Sequence, residues 1–405
     1  MMSYISGLVQ DFTTYYPIFM TLIWIIGSWL SSFHFNHEKS NEPNTNEKVT
    51  ILMSIFNEEN HIVETLSSFT QLTYANFDVV VVDDKSTDNS VNLVKNWLDK
   101  HDSVPVRLIE LSKNLGKAAA LNQAIKQIDA PYILVTDADA ILAHDVIEEL
   151  LKQVTDKTVA AVTGKPVVRN RTTLLAKLQT LEYLGIIDRI KRAQDFLYGG
   201  IMTVAGVVVL YRREALMSVA GFDSTAITED IDITWRLRKK NWRIRYTPHA
   251  LVYILTPETI HGYVKQRVRW SVGGIEVLLK NLKWTFKGTN KRQKLLLVDV
   301  CLSHIWSWTV IITSIQYLVV TIDTQTFSLP GVVIMIYILL FFSMMVQGIL
   351  QDHGQSQLGV PELFVIPFYS TFYWITVLIT AIMSQLNVAF FHKQRGSWSS
   401  PDRGR

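Results

Sequence analysis

Arg269 and Trp270 stand side by side three residues after Gln266, in the run HGYVKQRVRW that begins at His261. A guanidinium can grip an anionic leaving group at two points, and an indole offers a flat face on which a sugar ring stacks. Together they point to glycosyl transfer from a nucleotide sugar. An Arg/Trp-rich amphipathic helix lying on a bilayer gives much the same string, so the rest of the chain has to decide between the two.

Three acidic motifs come earlier. Asp137-x-Asp139 closes the apolar run YILVTD. Two carboxylates across a tight turn suit Mg²⁺ or Mn²⁺ that must also bind diphosphate, although D-x-D also occurs in ordinary solvated turns. Thr228-Glu229-Asp230 opens a helical stretch, with Thr228 suited to the N-cap and the acids to the first turn. A carboxylate fixed there in a cleft is also suited to act as a general base, and Asp230 is the candidate. Asp83-Asp84 ends another apolar run and fits either a turn or the base or ribose of a nucleotide. Lys117 fits a phosphate or a solvent-facing helix start. His249, His261, His304 and His353 show no H-x-x-x-H or H-E-x-x-H spacing, which argues against zinc.

The elements that must position these groups follow from periodicity. Short β-branched runs start at Val49, Phe77, Val104, Pro131 and Thr158, 27 or 28 residues apart. That spacing fits a strand, a crossover helix and two turns, so it predicts a parallel sheet with helices on both faces. Ligands bind such sheets at the carboxyl ends of the strands. Four of those ends are polar: Asn57-Glu58-Glu59, Asp83-Asp84-Lys85, Lys113 to Lys117, and Asp137-Ala138-Asp139. No G-x-G-x-x-G or G-x-x-x-x-G-K-[ST] is present, which argues against a dinucleotide dehydrogenase and a P-loop ATPase. Beyond Gly164 an amphipathic stretch is expected over 174–192, a strand from Val204, a helix from Thr228 to Lys240, a strand from Trp242, and a helix over 258–281.

With 405 residues and 48% hydrophobic side chains, the chain reads as one α/β domain embedded between transmembrane helices. The net charge of +3 gives no reason to expect nucleic acid, and one cysteine, Cys301, allows no disulfide framework. Residues 12–33 carry no charge and are long enough to cross ~30 Å of hydrocarbon. Asp11 before them and the lack of a small-x-small cleavage site argue for an anchor over a signal peptide. The catalytic domain is expected over 49–255 and an interfacial helix with a basic run over 256–294. Lys280, Lys283, Lys287, Lys291, Arg292 and Lys294 mark a cytoplasmic flank. Two transmembrane helices are expected over 300–322 and 326–350. The stretch 363–391 carries Pro367, Tyr369, Tyr373 and Trp374 in its first half and reads as transmembrane, re-entrant or interfacial, with a cytosolic tail over 392–405.

The ordered set Asn57-Glu58, Asp84, Asp137-x-Asp139, Thr228-Glu229-Asp230 and Gln266-x-x-Arg269-Trp270 resembles the processive family 2 glycosyltransferases: cellulose, chitin and hyaluronan synthases. NLGKAAALNQA from Asn114, TGKPVVRN from Thr163 and WSSPDRG from Trp398 look most like the bacterial poly-β-1,6-N-acetylglucosamine synthases of biofilm. The resemblance implies a GT-A-like fold at the bacterial cell membrane, with the catalytic domain cytosolic, and polymerisation of N-acetylglucosamine from UDP-GlcNAc. It implies a UDP-sugar donor, a growing polysaccharide acceptor, the lipid bilayer and Mg²⁺ or Mn²⁺, and leaves room for a small membrane accessory subunit. It places Asp84 on uracil or ribose, Asp139 on the metal and Asp137 on nucleotide or metal. Asp230 becomes the base, Arg269 holds the diphosphate and Trp270 lies under the acceptor sugar. Asn57, Glu58, Lys117, Glu229 and Gln266 line the substrate, and the loop with Trp398 covers the donor. Lys85 departs from the family, which usually has glycine there. Other products, such as chitin, hyaluronan or an N-acetylmannosamine chain, addition to a lipid, or an inactive export scaffold are the alternatives.

Overall fold

In the computed structural model, residues 2–38, 46–102, 104–287, 291–326 and 331–390 are described. Strands β1 (Val49–Ile55), β2 (Phe77–Asp83), β3 (Val106–Glu110) and β4 (Tyr132–Asp137) lie side by side in the order β3-β2-β1-β4, all parallel. Their alternating side chains fill two cores. Ile51, Met53, Val79, Val81 and Leu134 pack on one face, whereas Leu52, Val80, Val82, Ile133 and Val135 pack on the other. Each such side chain contributes roughly 1.5–3 kcal/mol when fully buried, so a register slip that turned it outward would be strongly opposed. The register sets Ser54 beside Asp137 and Ile55 beside Asp83, which brings the acidic strand ends onto one edge.

The second half of the sheet departs from the evenly spaced parallel pattern. The fifth run is β6 (Val159–Val168), and it does not neighbour β4. Strand β7 (Val208–Arg212) enters between them, antiparallel to both. Thr136 and Thr163 Oγ1 donate to the carbonyls of Val207 and Val208, pinning the inserted strand from either side. Strand β8 (Arg243–Ile254) runs parallel to β6, and β5 (Ile141–Leu142) pairs antiparallel at the edge. The sheet is therefore mixed, with eight strands among the described residues.

Helices α2 (Ile62–Phe69), α3 (Ser90–Leu98), α4 (Lys117–Ile125), α5 (Val146–Leu151), α8 (Arg213–Ser218) and α9 (Glu229–Lys239) clothe the sheet. Helix α6 (Leu174–Glu182) runs through a π-helical turn, Tyr183–Ile187, into α7 (Asp188–Tyr198). Among the described residues, four helices are long and apolar enough to cross a bilayer. They are α1 (Met2–Glu38), α11 (Lys291–Thr324), α12 (Gly331–Asp352) and α13 (Val360–Phe390). The amphipathic α10 (Ile260–Lys287) precedes α11.

The α6–α7 segment is the seam between sheet and apolar helices. Leu178, Leu181, Ile186 and Ala193 share one buried cluster with Trp24 of α1, Met345 of α12 and Tyr369 of α13. Gly185 allows α12 to approach, because a Cβ there would lie 2.0 Å from Met345 Cε. A buried ionic network crosses the same seam: Lys165 of β6 donates to Asp352 at the end of α12 over 2.6 Å, and both are 2% exposed. Asp188 accepts from Arg189, from Arg192 and from the Tyr246 hydroxyl.

Removing one partner of a buried ion pair leaves an uncompensated charge, at roughly 3–5 kcal/mol, whereas replacing both with apolar groups is often neutral. Lys165→Met should therefore lower the thermal midpoint in detergent, and adding Asp352→Leu should recover most of the loss. A double variant no more stable than the single one would show that this pair does not tie α12 to the sheet.

Candidate active site

The first wall of the cleft is built by the loops after β1, β2 and β3. Asn57, at φ +57°, accepts the Thr87 amide on Oδ1 over 2.8 Å, and the Glu58 amide donates to Ser90 Oγ over 2.8 Å. Asp83 accepts the Ser86 amide and closes the turn that Lys85 enters at φ +66°. A left-handed backbone costs a non-glycine residue about 1 kcal/mol or more, which explains why the family usually has glycine there; the turn is kept in spite of Lys85. Asp84 is 3% exposed and takes the Leu115 and Gly116 amides on its two oxygens, at 2.7 and 2.8 Å. Burial raises its pKa and the two amides counter it. Its carboxylate thus shapes the Lys113–Lys117 loop and also lines a cleft shared with Ser54, Glu58, Asn114, Lys117 and Asp137.

The Asp137-Ala138-Asp139 turn is held from behind, where Thr65 Oγ1 donates to the Ala138 carbonyl over 2.7 Å. Asp139 is buried, and Asp137 accepts from Lys117 Nζ over 2.6 Å. The same ammonium lies 3.2 Å from Glu229, bridging a strand end and a helix start. Burial opposes the charge on Lys117, but Asp137 and Glu229 outweigh it and raise its pKa. Asp230 follows on the first turn of α9. Desolvation, and then the neighbouring negative charge of Glu229, push its carboxyl up to about 6, with Lys117, the Ile231 amide and Arg269 acting against them. Such a carboxyl is ionised at neutral pH and still basic enough to take a proton.

Thr228 takes the expected N-cap position of α9, and its carbonyl accepts the Asp232 amide over 3.2 Å. Its hydroxyl makes no capping bond, and Oγ1 is buried with no partner among the described residues. Helix α10 approaches too closely: a Cβ on Gly273 would lie 1.9 Å from Thr228 Oγ1. Asp230 Oδ1 instead accepts the Ile231 amide over 2.9 Å.

Helix α10 supplies the remaining wall. Arg269 is exposed and Trp270 is half-buried beside the sheet core. The arginine that anchors this helix is Arg267, which the sequence reading did not single out. It meets both oxygens of Glu182, at 3.0 and 2.8 Å, and donates to Gln266 Oε1 over 2.6 Å. Its guanidinium lies 4.3 Å from the Trp270 ring centre and 4.6 Å from that of Tyr263. Tyr263, Arg267 and Trp270 recur at helical spacing, and Glu182 is a lone acid in the apolar run LQTLEYLGII; those were the signals available. Gly206, another residue not anticipated, lies against Asp230, with 3.4 Å from a built Cβ to Oδ2.

Asn57, Glu58, Asp84, Lys117, Asp137, Asp139, Glu229 and Asp230 are thus gathered along the strand ends, and Gln266, Arg269 and Trp270 come to them on α10. Trp398 lies outside the described residues. A cavity of ≈ 330 Å³ runs between α1, α7, α11, α12 and α13, lined by Trp24, Asp299, Trp306, Tyr337, Tyr373 and Trp374 among others.

Residues 46–273 match the family described as glycosyltransferase like family 2. The chain is 34% identical over 415 residues, 98% of each partner, to a Staphylococcus epidermidis protein named poly-β-1,6-N-acetyl-D-glucosamine synthase. A protein of the same name from Staphylococcus aureus strain MW2 is 33% identical over 423 residues, 97% of this chain and 98% of its own. Among solved structures, a mannosyltransferase from Pyrobaculum calidifontis in complex with GDP-Man and Mn²⁺ superposes with a TM-score of 0.67. At 20% identity over 97% of this chain and 100% of that one, it bears on the fold alone.

The contact between Gly273 and Thr228 yields a contrast between adjacent glycines. Gly273→Ala has to displace the start of α9, an overpacking worth roughly 1–3 kcal/mol, while nothing lies within 4 Å of a Cβ on Gly274. In detergent, Gly273→Ala should lower the thermal midpoint and Gly274→Ala should preserve or raise it. Equal behaviour of the two would mean that α10 does not brace the acidic motif through this contact.

Proposed function

This chain belongs to glycosyltransferase family 2, and we propose that it is the inverting, processive enzyme that builds poly-β-1,6-N-acetylglucosamine from UDP-GlcNAc. The observation that carries the chemistry is Asp230, a half-buried carboxyl whose pKa desolvation and Glu229 push up to about 6, between the lysine at the strand ends and the aromatic helix. The names of full-length relatives support the donor and product.

In the proposed reaction the uridine enters the cleft over Asp84 and Asn114, where Asp84 still has lone pairs beyond those given to the loop amides. The diphosphate lies by Lys117 and Arg269. Asp230 takes the proton of the acceptor hydroxyl, that oxygen attacks the anomeric carbon from the far side, and the bond to the diphosphate breaks to release UDP. One displacement inverts the anomeric centre. Trp270, its face fixed by Arg267, stacks beneath the acceptor ring.

The donor set fits a divalent cation. Asp137 and Asp139 offer hard oxygens at one turn, and no cluster of three metal-binding side chains occurs among the described residues. This is the arrangement expected where substrate phosphates complete the coordination. Mg²⁺ or Mn²⁺ held there would supply countercharge to the diphosphate.

The cavity between the apolar helices is proposed as the exit path. Its rings offer stacking faces, and Asp299 with Ser303 and Ser307 presents hydrogen-bonding groups on one stripe of α11. We place the catalytic domain in the cytosol of a multi-pass membrane protein, as the basic run from Lys280 favours. Helix α13 tracks α10: Tyr263 meets Phe372, and eight residues on, Ser271 meets Ser384 twelve residues after Phe372. It also crosses α11 obliquely, because Trp374 and Gln385, about 16 Å apart along a helix, both meet residues 304–308. These contacts support a steeply inclined or re-entrant α13 and a cytosolic tail.

Asp230→Asn should lower turnover by about 10²–10⁴-fold and leave UDP affinity within a few-fold. In the unmodified enzyme the base must be ionised, so kcat/KM should fall about tenfold per pH unit below about 6. A near-normal Asn variant would sink the assignment. Chelation by EDTA should abolish turnover, with restoration by Mg²⁺ or Mn²⁺; activity indifferent to EDTA would remove the metal from the scheme. For the tail, Cys301→Ser with Ser399→Cys should resist a membrane-impermeant maleimide in intact cells. Labelling without permeabilisation would falsify the cytosolic tail.

A further inference from the structure

One buried charge takes no part in this scheme. Lys191 on α7 is 8% exposed, and among the described residues its ammonium has neither a hydrogen bond nor an ion pair. Its neighbours differ: Arg189 and Arg192 both pair with Asp188. Desolvation pulls the Lys191 pKa down to about 8, while Asp230 and Asp188 oppose that fall. A buried cation is costly to keep unless something supplies its partner.

The helix period places it. Ile187, one turn before, joins the apolar cluster that also holds Val207 and Trp270. Gln194, almost one turn after, lines the ≈ 330 Å³ cavity and accepts the Met202 amide over 2.8 Å. The loop from Met202 then reaches Gly206, against Asp230. Lys191 therefore lies on the α7 face between the sheet core and the cavity wall, near enough to Asp230 for its charge to act on the ammonium. Lys117 holds Asp137 and Glu229 at the strand ends, the donor side of the proposed reaction. The diphosphate already has Lys117 and Arg269 in that scheme, so the ligand that meets Lys191 is the neutral, oxygen-rich acceptor.

We propose that Lys191 binds the terminal sugar of the acceptor, donating hydrogen bonds to its hydroxyl or amide oxygens and holding the reacting hydroxyl against Asp230. This rests on the sugar-acceptor reading above. No bond is made or broken at Lys191; the acceptor proton still goes to Asp230.

The test uses the full chain purified in lipid, with UDP-GlcNAc as donor and a soluble β-1,6-linked N-acetylglucosamine oligosaccharide as acceptor, followed by UDP release. Lys191→Met should raise the acceptor KM tenfold or more and leave UDP affinity within twofold, and Lys191→Arg should recover most of the loss. An unchanged acceptor KM, a UDP affinity that weakens in step with it, or an Arg variant no better than Met would overturn the assignment. If the Met variant does not fold, Lys191→Gln is measured in the same way. Failure of both to fold would also overturn it, because Lys191 would then be a structural residue. An unmodified enzyme that releases no UDP from UDP-GlcNAc defeats the functional reading itself, a result distinct from an active enzyme indifferent to Lys191.

Discussion

Carboxylates that must lie close together at the end of a sheet repel one another and resist leaving water, and Lys117 answers both problems at once. Its ammonium reaches Asp137 at the end of β4 and Glu229 at the start of α9, two elements that the chain does not otherwise join in sequence. The lysine is itself placed by Asp84, which folds the preceding loop by accepting the Leu115 and Gly116 amides. A charge network thus fixes the distance between the end of β4 and the acidic helix start. Asp230, next along, is left without such a partner, and its carboxyl is correspondingly the one pushed up to about 6. Differences in pairing among neighbouring acids separate the carboxyl proposed as base from those proposed to bind.

The same logic extends into the apolar helices. Glu182 would be an uncompensated buried charge without Arg267, and their two-point contact locks α10 to the π-helical turn after α6. Because Arg267 is sandwiched between Tyr263 and Trp270, the ring proposed for the acceptor is oriented by a charge that never needs to touch it. Through Lys165 and Asp352 the sheet is tied in turn to α12. The sheet and the apolar helices are therefore parts of one packed unit.

Much of this was legible in the chain. Asp83, Asp137 and Asn57 fall where evenly spaced strands end, because a parallel register aligns those ends on one edge. Thr228-Glu229-Asp230 and Gln266-x-x-Arg269-Trp270 could be read as motifs because their chemistry is carried by side chains close together in sequence. What escaped was non-local. The insertion of β7 between β4 and β6 depends on pairing, which a strand pattern does not encode. Thr228 stands at the N-cap as its residue type suggests, but its hydroxyl is packed against Gly273 of a distant helix and makes no capping bond. Arg267 was overshadowed by its neighbour Arg269, since only the partner at Glu182 tells which arginine anchors and which stays exposed to the cleft.

An enzyme built this way is proposed to polymerise one sugar with one linkage, and its product decides the matter. The full chain in lipid, given UDP-GlcNAc, should release UDP and yield a polymer that a β-1,6-specific N-acetylglucosaminidase digests completely and a chitinase leaves intact. Release of UDP with only single-sugar products, or a polymer cut by the chitinase and not by the β-1,6-specific enzyme, would contradict it.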